Sequence, residues 1–93
     1  MSEPRAVHLV ISGRVQGVGF RWFVRHAADD FDVTGRVRNL PDGRVEVWAA
    51  ADADQLTGFV ERLREGPPGA RVTAIAEKEL SPVPSWAGFD IDH

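Results

Sequence analysis

An arginine that closes a glycine-rich stretch, and an asparagine eighteen positions further on, are the residues of this chain best placed to do chemistry. The stretch is Gly13-Arg14-Val15-Gln16-Gly17-Val18-Gly19-Phe20-Arg21, and it falls where an alternating apolar segment gives way to a helical pattern. Glycines let successive backbone N–H groups turn inward without Cβ clashes. The first turn of a following helix adds unpaired N–H donors and the positive end of the helix dipole. Arg21 supplies a planar fork of donors that can grip an oxyanion with two hydrogen bonds. The combination reads as an anion site, with Gln16, Gly17, Val18, Gly19 and Phe20 as its backbone cradle. It is not a Walker A loop, because no Gly-Lys-Ser/Thr follows, and it is not a dinucleotide fingerprint in a Rossmann setting. Asn39 is singled out by its position. It continues the face of Val33 and Val37, which should point to the core, and a polar amide there must find partners or cost about 1–3 kcal/mol. A half-open cleft holding an anion and a water would supply them.

The elements that must hold these residues follow from periodicity. Arg5 to Ser12 alternates, with Val7, Leu9 and Ile11 on one face, and reads as a first strand. Phe20, Val24, Ala27, Ala28 and Phe31 form the buried stripe of a helix. Val33 to Leu40 is a second strand, Pro41-Asp42-Gly43 a hairpin turn, and Arg44 to Ala50 a third strand. Asp52 and Gln55 read as a variant capping box for a second helix with the stripe Leu56, Phe59, Val60 and Leu63, ended by Gly66-Pro67. Arg71 to Leu80 contains a fourth strand, and Trp86 to Ile91 reads as a short edge strand after a proline-containing loop. The order βαββαβ, with a small extra strand, is the split βαβ pattern of an α+β, ferredoxin-like sandwich. The expectation is an antiparallel sheet of four to five strands with both helices on one face. In that topology the first two strands run parallel with the third between them. Their carboxyl ends share one rim, which brings Arg21 and Asn39 together.

The same residues carry a resemblance. Gly13 to Arg21 resembles one signature of the acylphosphatases, and Gly35-Arg36-Val37-Arg38-Asn39-Leu40-Pro41-Asp42-Gly43-Arg44-Val45-Glu46-Val47 resembles the other. With Gly66-Pro67-Pro68-Gly69-Ala70-Arg71-Val72 and Phe89-Asp90-Ile91, the likeness runs over nearly the whole chain. It implies a hydrolase acting on the carboxyl–phosphate bond of a small-molecule acyl phosphate, without cofactor or metal. It further implies that Arg21 binds the phosphoryl group, that backbone N–H groups of the Gln16–Phe20 loop complete the cradle, and that Asn39 positions the attacking water. The sequence departs from the family pattern in two places. Arg36 stands where many relatives carry an aromatic residue, and the chain closes on Asp90-Ile91-Asp92-His93, where relatives often end in a basic or aromatic residue. Neither departure touches the matched catalytic positions.

Composition narrows the class. Ninety-three residues make one domain, expected over 1–93, and a hydrophobic fraction of 43% is enough for a packed core. A net charge of −3, from 14 acidic and 11 basic residues, leaves no electrostatic footprint for nucleic acid or an anionic membrane. There is no cysteine, which removes disulfides and thiolate chemistry, and no signal-type or membrane-length apolar run. The expectation is a cytoplasmic monomer with neither nucleic-acid nor membrane partners. His8, His26 and His93 are scattered with no zinc-site spacing. Trp22 and Trp48 read as packing residues, Trp22 with the option of bordering the cleft. Arg14, Arg36, Arg38 and Arg44 read as solvated side chains near the rim, and Asp42-Gly43 as hairpin chemistry. Three rivals remain. The acylphosphatase-like domain of large hydrogenase-maturation carbamoyltransferases comes with zinc-finger cysteines, absent here. A ferredoxin-like RNA-binding module needs aromatic residues on the open sheet face and a basic surface. A non-catalytic anion-binding ferredoxin-like module would share every residue named so far.

Overall fold

The computed structural model describes residues 3–92. Its elements are β1 (Pro4–Arg14), α1 (Phe20–Phe31), β2 (Thr34–Asn39), β3 (Val45–Asp52), α2 (Ala53–Glu65), β4 (Arg71–Glu79) and β5 (Phe89–Ile91). The strands form one sheet in the order β4-β1-β3-β2-β5. β3 lies between β1 and β2 and runs antiparallel to both, so β1 and β2 are parallel to each other. That arrangement sets the carboxyl ends of β1 and β2 at one rim, as the element order requires.

The apolar stripes meet on one side of the sheet. Val7, Leu9 and Ile11 of β1, Val37 of β2, and Val45, Val47 and Ala49 of β3 are buried. Phe20, Val24, Ala27 and Ala28 of α1 and Leu56, Phe59, Val60 and Leu63 of α2 close over them in a single cluster. α1 packs against β2 and β5, whereas α2 packs against β1, β3 and β4. Period 2 in the strands and period 3.6 in the helices therefore converge on one two-layer core. The opposite face of the sheet carries no helix and holds the alternate residues, among them His8, Arg36, Arg38, Glu46 and Trp48.

Three details differ from the sequence expectation. β1 does not end at Ser12 but continues to Arg14, because after a bulge at Ser12/Gly13 the residues Gly13 and Arg14 pair with Val72 and Arg71 of β4. The loop between β1 and α1 is thereby shortened to Val15–Gly19. Asp52 is the N-cap residue of α2, but its side chain makes no capping bond. Its backbone is still extended and paired with Pro4 in the sheet, and the Ala53 N–H is taken by the Glu3 carbonyl at 2.9 Å, so main chain replaces the capping box. The fifth strand is only Phe89–Ile91, and it lies parallel to β2, which makes the sheet mixed rather than wholly antiparallel. The connection after β4 crosses to the far edge of the sheet and enters it in the direction of β2. Trp48, read as a packing residue, does pack, on the open sheet face against the guanidinium groups of Arg36 and Arg38, 5.6 and 5.5 Å from its ring centre.

Candidate active site

The loop from β1 into α1 begins with Val15, which is buried and anchors it to the core. It ends at Gly19, the N-cap of α1, whose φ of 74° lies in the left-handed region where a side chain would be strained. Because the cap is glycine, no side chain bonds the first-turn N–H groups, and the first turn contains no acidic residue. The positive end of α1 is therefore neither capped nor neutralised by its own sequence, which suits it to an external anion.

Beside it is a hollow of about 120 Å³ lined by Val15, Gln16, Gly17, Gly19, Phe20, Arg21, Trp22 and Asn39. Of the residues singled out in the sequence, all but Val18 lie on this wall. Val18 instead packs against the margin of the hydrophobic core, and Phe20 borders the hollow although the residue is buried. Asn39 is half-buried at the end of β2, and its side-chain amide makes no hydrogen bond to any described residue. Arg21 reaches the last part of the chain, donating from Nη1 to the Asp92 carbonyl at 2.9 Å. One end of its fork is thereby fixed in place on the shared wall.

Gln16 has a second job that its sequence context did not reveal. Its side-chain Nε2 donates to the carbonyls of Leu40 and Arg44 at 2.8 and 2.9 Å. The cradle loop is thus tied to the β2–β3 hairpin, the element that carries Asn39. The hairpin has its own brace: the Arg44 N–H donates to Asp42 Oδ1 at 3.1 Å and the Arg44 side chain pairs with the same carboxylate. The backbone hydrogen bond from Arg44, helped by the guanidinium, holds the Asp42 carboxyl below the usual carboxylate range. Asp42 therefore serves the turn, as its position before Gly43 suggested.

A second, wider cleft of about 830 Å³ adjoins the hollow and shares Arg21 and Asn39 with it. Arg36, Arg38, Ile91 and Asp92 form its far wall. The two departures from the family pattern meet here, since Arg36 donates from Nε to Asp92 Oδ2 at 2.8 Å and pairs with it again through Nη2. Arg38 donates from Nε to Glu46 at 2.6 Å, and His8 pairs with the other oxygen of Glu46 at 2.7 Å. Burial alone would raise the Glu46 carboxyl, but the hydrogen bonds from His8 and Arg38 outweigh it and hold the group below the ordinary glutamate range. Trp22, 61% exposed, is a rim residue of the hollow and not a packing residue. Among the described residues no three His, Asp or Glu side chains are grouped as metal ligands would be, and no helix is long and apolar enough to cross a membrane.

A family model described as acylphosphatase matches residues 7–91, nearly the entire chain and both motifs. The chain belongs to the acylphosphatase family. An acylphosphatase of Chlorobaculum tepidum is 44% identical to it over 91 residues, covering 98% of each chain. One from Lacticaseibacillus paracasei is 41% identical over 87 residues, covering 92% of this chain and 94% of its own. The crystal structure of acylphosphatase from Bacillus subtilis superposes with a TM-score of 0.93 at 38% identity, covering 96% of this chain and 99% of that one. The ferredoxin-like α+β architecture of the acylphosphatases is thus the architecture found here.

Proposed function

We propose that this member of the acylphosphatase family hydrolyses the carboxyl–phosphate bond of small-molecule acyl phosphates, giving a carboxylate and inorganic phosphate. Arg21 and the backbone N–H groups of the Gln16–Phe20 loop bind the phosphoryl group, and Asn39 orients the attacking water. The observation that carries this reading is the 120 Å³ hollow, which has the uncapped N-terminus of α1, Arg21 and Asn39 on one wall.

The chemistry asks for little else. The leaving group is a carboxylate, a weak base, so no strong general acid is needed to expel it. The transition state of such a transfer is loose, with negative charge spread over the phosphoryl oxygens. Fixed donors aimed at those oxygens, and a water held in line by the Asn39 amide, lower the barrier by preorganisation. The substrate's own phosphoryl oxygen can take the proton of the attacking water, since among the described residues no carboxylate or imidazole lines the hollow. Each chain carries a whole site, so a monomer is expected, and the cysteine-free sequence agrees with a reducing, cytoplasmic setting.

The test is the loss of benzoyl phosphate, followed by ultraviolet absorbance with EDTA present. Metal-independent turnover is expected in the wild type, with a fall in kcat of about 10²–10³ in Arg21→Ala and in Asn39→Ala, the scale of losing one transition-state donor, and unchanged circular dichroism. A well-folded wild type that binds phosphate in an Arg21-dependent way but turns nothing over would overturn the reading in favour of a non-catalytic anion-binding module.

A further inference from the structure

We infer that Arg38 reads the acyl portion of the substrate, and that this chain favours acyl phosphates whose acyl group carries a second anionic group. The inference rests on the hydrolytic reading above and adds a substrate class to it. The hollow at the head of α1 is of a size for a phosphoryl group alone, about 120 Å³, whereas the adjoining cleft is about 830 Å³. Arg21 and Asn39 line both. A phosphoryl group seated against the cradle therefore leaves its acyl portion in the wider cleft.

The wall of that cleft is not neutral. Among the described residues, Arg21, Arg36 and Arg38 line it against one carboxylate, that of Asp92. The two outer arginines differ in what they have left to give. Arg36 is engaged through both Nε and Nη2 by Asp92. Arg38 is engaged only through Nε, by Glu46. Its Nη groups, with four N–H donors, make no hydrogen bond to a described residue. Glu46 is only 13% exposed in its side chain and is shared with His8, so it grips Arg38 from the sheet side, while half of the Arg38 side chain remains exposed. Trp48 supports the guanidinium over its ring at 5.5 Å. An arginine held in place at one end, half exposed and lining a cleft, is a preorganised receptor for a carboxylate or phosphate. Among the described residues Pro41 and Ile91 are the apolar side chains on the wall and the others are polar or charged, so a purely hydrocarbon acyl group gains less there.

Benzoyl phosphate and its 3-carboxy and 4-carboxy derivatives make the test, because the rigid ring fixes where the second charge sits. In the wild type at low ionic strength, one of the carboxylated substrates is expected to show a KM about five- to tenfold below that of benzoyl phosphate at similar kcat, the size of one charge-assisted hydrogen bond at a half-exposed site. Added salt should shrink the advantage. Arg38→Gln should abolish it and leave benzoyl phosphate kinetics unchanged, which also shows that the variant is folded. Equal KM values for all three substrates in the wild type, or an Arg38→Gln loss that falls equally on benzoyl phosphate, would overturn the inference. Turnover of benzoyl phosphate by the wild type separates that failure from a failure of the hydrolytic reading itself.

Discussion

Gln16 illustrates how a single side chain can serve the site without facing the substrate. Its Nε2 bridges the Leu40 and Arg44 carbonyls, and so holds the cradle loop at a fixed distance from the strand that ends in Asn39. Two neutral hydrogen bonds of this kind contribute about 1–3 kcal/mol together. Their loss would let the loop and hairpin move separately. Gln16→Ala is therefore expected to lower kcat/KM for benzoyl phosphate by about tenfold or more, since misplacing reacting groups by an ångström is enough for that. The circular dichroism spectrum should be unaltered. An unchanged kcat/KM would show that the loop holds its shape through Val15 and the helix alone.

At the scale of elements, the β2–β3 contact is the tightest constraint in the sheet. Gly35 has φ 145° and lies so close to β3 that a Cβ there would stand 1.8 Å from the Trp48 carbonyl oxygen. No side chain can yield to relieve that contact, because the obstacle is main chain. Gly35→Ala should force the strands apart and destabilise the fold by at least about 2 kcal/mol. In a domain of this size that corresponds to a fall in Tm of about 8–16 °C. Thermal unfolding followed by circular dichroism checks it, and a shift within a degree or two would mean that β2 can slide without cost. The same element explains the position of the site: β5 pairs with β2 only at Gly35, Arg36 and Val37, and the cleft takes up the β2 edge that follows, at Arg38 and Asn39.

At the scale of the whole molecule, one carboxylate on the open sheet face links three strands. Glu46, on β3, is tied to β1 through His8 and to β2 through Arg38. Its carboxyl lies below the ordinary range in the folded state. A depressed carboxylate contributes stability that is fully present above its unfolded value, near 4.5, and is lost as pH falls through the folded value. The urea midpoint of Glu46→Gln should thus lie below that of the wild type at about pH 6, and the gap should close as pH falls below about 4.5. A gap independent of pH would show that shape, and not charge, is what Glu46 contributes.

Much of this protein was written in its sequence because the deciding interactions are local or periodic. Alternation in β1, β2 and β3 and the stripes of α1 and α2 name nearly all of the buried residues, since burial on one face is what makes each element stable. The glycine run, the arginine after it and the resemblance they carry pointed to an anion cradle, and the split βαβ order is enough to bring Arg21 and Asn39 to one rim, where both line the same hollow. What tertiary structure decided were contacts between segments far apart in the chain. The parallel entry of β5, the Gln16 bridge to the hairpin, the meeting of Arg36 with Asp92, and the difference between a satisfied Arg36 and a half-engaged Arg38 depend on partners 8 to 56 residues away. Sequence shows charge and spacing, whereas which guanidinium nitrogens are already taken is settled only when the strands are laid side by side.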